Sequence, residues 1–155
     1  TFLLIFLYTN FVYAENKVRI ELQIGNEIIT NIDFINEENY LIALNNNLKK
    51  LPKNQLKKIS KESLIREKIK KIELMKFYDF KKADKYSDQI LGDFYQRLNF
   101  ENKNKFNSYL ISYNLNISDI KEKLKIETLW NELIFKKYDN QVKIDKEKIK
   151  KKNKI

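Results

Sequence analysis

Cysteine and histidine are both absent from the 155 residues, glycine occurs twice and proline once. Without Cys there is no disulfide and no thiolate metal site. Without His the commonest general base and the commonest metal ligand are missing. The shortage of Gly and Pro leaves little punctuation for a many-turned β fold and favours long helices. No Gly-rich loop offers to hold a phosphate, the serines have no His partner, and the carboxylates show no metal-ligand spacing. No catalytic residues are therefore assigned, and neither a cofactor nor a metal is expected. Glu37 and Glu38 are adjacent and so point about 100° apart on a helix, which reads as a solvated face.

Apolar residues make up 43% of the chain and aromatics 13%, enough for one sizeable core. The formal charge is +10, and half of it sits between Lys146 and Lys154, where six Lys face one Glu. Such a run reads as a solvated helix face, with contact to nucleic acid or anionic lipid as the functional alternative. Asn116-Ile117-Ser118 matches the glycosylation acceptor pattern, a motif short enough to arise often by chance.

Thr1 to Ala14 is almost wholly apolar up to Tyr8 and ends Val12-Tyr13-Ala14. Val12 and Ala14 occupy the third and first places before a signal-peptidase cut. The segment is shorter than the roughly 20 apolar residues of a spanning helix. The expectation is a signal peptide over 1–14 that lacks its start, cleaved after Ala14, with no stable membrane insertion of the remainder. A buried first strand or helix is the alternative.

Val18, Ile20, Leu22 and Ile24 alternate with polar residues, as in a strand with one buried face. Gly25-Asn26 suits a two-residue hairpin turn and Glu27 to Ile29 a return strand. Thr30 then reads as a helix N-cap, with Asp33 three residues on. Helices are predicted at 31–46, at 53–81 after Pro52, from a Ser87 cap through Leu98, at 103–113, and from a Ser118 cap to about 138. The second carries Leu56, Ile59, Leu64, Ile65, Ile69, Ile72 and Met75 on one side. The last carries Ile120, Leu124, Leu129, Trp130, Leu133, Ile134 and Tyr138. Gln141 to Ile144 suggests a short strand, and Asp145 the cap of a basic helix. The expected fold is mainly α, an irregular bundle of about five to six helices with a small N-terminal β-hairpin. The domain is expected over 15–144, with 145–155 as a basic helix or the start of a further domain.

Aromatics crowd the middle third. Most belong to a core, because aromatics at helical spacing usually do. A Tyr-rimmed groove would also suit unfolded apolar peptides. The candidate peptide-binding residues are Tyr78, Phe80, Phe94, Tyr95, Tyr109 and Tyr113.

With these elements in place, the chain resembles the N-terminal domain of SurA-type periplasmic chaperones. The resemblance rests on the signal-like start and on Gly25-Asn26-Glu27-Ile28-Ile29-Thr30-Asn31-Ile32-Asp33 after a short strand. Further matches are Leu64-Ile65-Arg66-Glu67-Lys68-Ile69, Ser87-Asp88, Leu124 to Ile134, and Val142 to Glu147. The family ends its long helix at a Gly-containing bend, whereas here Phe77 to Tyr86 is longer and has no Gly. What the resemblance implies is an ATP-independent periplasmic holdase that binds unfolded outer-membrane proteins or apolar and aromatic peptides, with no nucleic acid as partner. Full-length family members often carry parvulin-type prolyl isomerase domains, which these residues do not include. The alternatives are the N-terminal fragment of such an isomerase and a basic helical nucleic-acid-binding protein. The hairpin is expected to pair with Val142 to Ile144 or a later segment.

Overall fold

Gly25 sits at φ 58°, in the left-handed region that only glycine enters without cost, and this turns the chain back on itself. In the computed structural model, which describes residues 17–80 and 87–139, β1 (Ile20–Ile24) pairs antiparallel with β2 (Glu27–Thr30) across that turn. The signal-like segment 1–14, Tyr86, the expected strand at 141–144 and the terminal basic helix lie outside the described residues. Pairing of the hairpin with 142–144 therefore lies outside them too.

The expected single buried face of β1 needs correction. Ile20 faces Thr30 and Leu22 faces Ile29, so Glu21 is an extra residue, a bulge. Cross-strand partners share a face, and the bulge puts Ile20 on the side opposite Leu22. Val18 and Ile20 are accordingly 68% exposed, with Ile28 on the same outer face. Ile29, opposite Leu22, is fully buried. The inner face meets the second helix, where the Glu27 carboxylate stands 2.9 Å from Lys68 Nζ and 3.5 Å from Lys71 Nζ. Those two ammonium groups hold Glu27 below its ordinary pKa although its partial burial alone would raise it.

Five α-helices follow among the described residues. Thr30 caps α1 (Asn31–Leu44) as predicted: its Oγ1 accepts from Asp33 N–H at 3.2 Å, and Asp33 Oδ2 accepts from Thr30 N–H at 2.7 Å. A 3₁₀ turn (Asn46–Lys50) then leads through Pro52 into α2 (Lys53–Leu74). Helix α2 stops well short of the predicted residue 81. Leu74 is fully buried, but Met75 and Phe77 are more than 60% exposed. Without a packing surface the helix has little to sustain it, and Phe77 N–H and Tyr78 N–H both fold back onto Leu74 C=O at 2.9 Å.

Ser87 is the first residue of α3 (Ser87–Arg97) rather than the residue ahead of it. Helix α4 covers Lys103–Ile111, and α5 covers Ile117–Tyr138. The cap of α5 is Asn116 and not Ser118: its Oδ1 accepts from Ser118 N–H at 2.9 Å and Asp119 N–H at 3.0 Å. The apparent glycosylation motif thus has a local structural cause. With glycine scarce, asparagine supplies two left-handed helix ends, Asn99 at φ 63° and Asn114 at φ 55°. Phe100 N–H bonds back to Tyr95 C=O, and Leu115 N–H to Leu110 C=O, both at 3.0 Å. This is the reach of a Schellman ending.

Helix α2 lies between α1 and α5, and α3 packs on α5. The largest buried cluster joins Ala43 of α1, Leu91 of α3, Phe106 and Leu110 of α4, Leu115, and Ile120 of α5. Phe106 is its centre, with the rings of Phe100, Phe94 and Tyr95 at 5.2, 6.0 and 6.0 Å. The chain is mainly helical with a small N-terminal hairpin, as its patterning predicts.

Candidate functional site

The amphipathic stripe of α5 outlasts its partners. Ile120 and Ile126 are buried, whereas Ile134, Phe135 and Tyr138 reach the surface. Where α2 ends and α3 begins to cover α5, a recess of about 550 Å³ opens, floored by Ile90 and Leu129 and walled by Phe77, Tyr78 and Thr128. Asp79, Asp93, Lys125 and Glu132 stand at its polar positions. A second recess of about 370 Å³ lies against Trp130, Leu133 and Ile134. Phe77, just past the end of α2, borders both.

Of the six predicted aromatics, only Tyr78 lines one of these recesses. Tyr78 lines the larger recess, with Lys136 Nζ 5.9 Å from its ring centre. Phe80 lies under Lys125 Nζ, 5.3 Å from its centre. Phe94, Tyr95, Tyr109 and Tyr113 instead pack around the Phe106 cluster. Tyr109 Oη donates to Ala43 C=O at 2.7 Å and Tyr113 Oη donates to Asn46 Oδ1 at 2.9 Å. Tyr109 thus ties α4 to the end of α1, and Tyr113, just past α4, ties its end to the 3₁₀ turn that follows α1. The larger recess draws instead on Phe77, Ile90 and Leu129, which the sequence marks only as one of the clustered aromatics and as members of the apolar stripes of α3 and α5, none of them as a binding residue.

A second, polar feature lies between α1, α2 and α5. Glu37, expected on a solvated face, is only 1% exposed. It faces α5, where Lys123 Nζ sits 2.6 Å from its Oε2 and also bonds Glu67. Such a pair replaces the water that both charges lose on burial. Burial by itself would lower the Lys123 pKa, but Glu67 and Glu37 together hold it above the ordinary lysine value. The Lys123 ammonium also stands 4.9 Å from the ring centre of Tyr40. Burial is the main cause pushing the Tyr40 phenol up to about 12, opposed by Lys123 and assisted by Glu37 and Glu67. The second oxygen of Glu37, Oε1, is buried without a hydrogen-bond partner.

No helix of the described residues is long and apolar enough to cross a membrane. Comparison with known proteins finds no matching family model, no matching curated protein and no matching solved structure.

Proposed function

We propose that residues 15–144 form an ATP-independent holdase domain of the SurA type, exported to the periplasm, where it keeps unfolded outer-membrane precursors from aggregating. The observation that carries this reading is the pair of apolar recesses that meet at Phe77, one lined by Ile90 and Leu129 and the other by Trp130 and Ile134. They persist on a chain of which 34% is charged. Apolar recesses edged by charged side chains suit recognition of apolar segments. The hairpin leading straight into a boxed helix cap at Thr30 and Asp33 adds the order of elements that the family resemblance implies.

The energetics suit transient holding. Each large apolar side chain docked into such a recess contributes about 2 kcal/mol. Two or three anchors, less the cost of association, give weak and reversible capture. The strands of an unfolded barrel protein offer apolar residues at every second position, and shielding them lowers the population free to pair into aggregates.

The decisive measurement is light scattering of a denatured β-barrel protein diluted into buffer with the mature chain and no nucleotide. Suppressed scattering at stoichiometric to several-fold excess is expected. Unchanged scattering at that excess overturns the proposal. Peptide sequencing of exported material should begin at Glu15.

A further inference from the structure

The lysines of this chain sort by position into paired and unpaired. From Lys68 to Lys136 every described lysine is ion-paired with an Asp or Glu. Lys49, Lys50, Lys53, Lys57, Lys58 and Lys61 are all exposed, and none of them is ion-paired among the described residues. They run from the end of the 3₁₀ turn into the first half of α2, through a stretch that contains no Asp or Glu. Lys53, Lys57 and Lys61 recur every fourth residue, which sets three ammonium groups along one stripe about 12 Å long. Like charges at that spacing repel, and cations at the start of a helix oppose its dipole. Helix α2 has no acid in its first turn and no side-chain cap to offset this. A surface of negative charge laid against the stripe would relieve both effects.

The stripe also borders apolar side chains. Lys57 and Lys61 line a recess of about 490 Å³ with Arg19, Phe34 and Ile35. Ile35 is 46% exposed, and Val18 and Ile20, on either side of Arg19 in sequence, are more exposed still. The acids of this recess are Glu21, which stands 3.6 Å from Arg19, and Glu38. Residues 49–61 include neither an arginine nor an aromatic ring. They therefore offer no guanidinium fork for bidentate contacts and no platform on which nucleic-acid bases could stack. Lysine point charges beside exposed aliphatic side chains suit a lipid interface instead.

We propose that the lysine stripe at the start of α2, with Ile35 at its edge, is a docking surface for an anionic phospholipid bilayer. The ammonium groups meet lipid phosphates and the aliphatic side chain enters between headgroups, so the folded domain adsorbs without spanning. These residues are distinct from those of the two apolar recesses, and the inference does not depend on the holdase reading.

Co-sedimentation of the full chain with vesicles tests it, using equal parts of phosphatidylglycerol and phosphatidylcholine against phosphatidylcholine alone. The anionic vesicles should bind at least about tenfold more tightly, since each lysine near such a surface contributes about fivefold. Replacing Lys53, Lys57 and Lys61 together by Gln should remove at least about tenfold of that affinity. The same change in net charge made at the ion-paired Lys76, Lys103 and Lys105 should cost far less. The stripe variant should melt no lower than the parent chain, because it loses only repulsion, so its lost binding is not lost folding. Ile35→Ser should weaken vesicle binding several-fold. Equal losses from the two triple variants overturn the proposal, because net charge alone then accounts for binding. A stripe variant that keeps full affinity overturns it too, whether the terminal run from Lys146 to Lys154 or another segment then carries the binding. So does tighter binding, per phosphate, of duplex DNA than of the anionic vesicles, or unchanged vesicle binding by Ile35→Ser.

Discussion

Lys123 of α5 reaches across 86 positions of sequence to hold the buried Glu37 of α1 at 2.6 Å, and bonds Glu67 of α2 with the same ammonium group. Three helices therefore meet at one cation. Lys123→Met should destabilise the protein by about 3–5 kcal/mol, because it strands Glu37 in the interior. Combining it with Glu37→Gln should recover part of that loss. Urea denaturation of the two variants measures the difference, and equal stability of the single and double variants would refute the pairing.

The same cluster fixes a high-pH limit. The Tyr40 phenol titrates near 12 in the folded state against 10.0 when free, and Lys123 also binds its proton more tightly than usual. Both shifts favour the protonated form, so their stabilisation is complete below about pH 10 and drains away as pH rises towards 12. Thermal melting between pH 9 and 12 should show a falling midpoint, shallower in Tyr40→Phe. Absorbance of the ionised phenols should show one tyrosine titrating late.

Glu27 sets the opposite dependence on the acid side. Its pKa is lowered by Lys68 and Lys71 against the effect of its burial, so its contribution is present above the ordinary glutamate range and lost as pH falls through the folded value. Glu27→Gln should flatten the acid limb of the stability curve. An unchanged acid limb would mean that the hairpin is not held to α2 by this carboxylate.

Core and tether separate cleanly around Phe106. Phe106→Ala removes a fully buried ring that four helices and the α4–α5 connection enclose, and should cost about 3–5 kcal/mol. Tyr109→Phe keeps its ring contacts and loses the hydroxyl that donates to Ala43 C=O, at about 1 kcal/mol. Denaturation midpoints should rank the two accordingly.

The left-handed asparagines are testable as a pair. Asn99→Ala and Asn114→Ala should each cost about 1–2 kcal/mol, since a Cβ without a local hydrogen-bonding group is disfavoured at these angles. Glycine at either position should be neutral or stabilising. Comparable losses with Ala and Gly would point to side-chain contacts instead.

Where the two apolar recesses meet, Phe77 is 62% exposed, so Phe77→Ser should change stability by no more than about 0.5 kcal/mol. It should nevertheless reduce aggregation suppression several-fold, because Phe77 borders both recesses. Intact suppression by this variant would remove those recesses from the proposed function.

What could be read in advance was what neighbouring residues decide among themselves. Gly25-Asn26 turns, Thr30 caps with Asp33, and Pro52 opens a helix through contacts spanning only a few positions. The end of α2 was hidden, because Phe77 to Phe80 are as apolar as the stripe before them and only the missing packing partner stops the helix. Glu37 looked like any surface glutamate until Lys123 arrived from the far end of the chain. The bulge at Glu21 broke an alternation that the residue types kept intact. The predicted aromatics were apolar enough for either role, and the tertiary fold, through Phe106, drew four of the six into or against the core.

Helix α5 is one continuous segment with two different surroundings, closed over Ile120 and Ile126 and open from Ile134 onward. Beyond its first turn, its backbone amides should therefore exchange with solvent deuterium at graded rates, slow around Ile126 and fast in the last turns. A polypeptide captured on the open half would retard exchange there while the first half kept its own rate, so one helix would act as its own internal clock for occupancy.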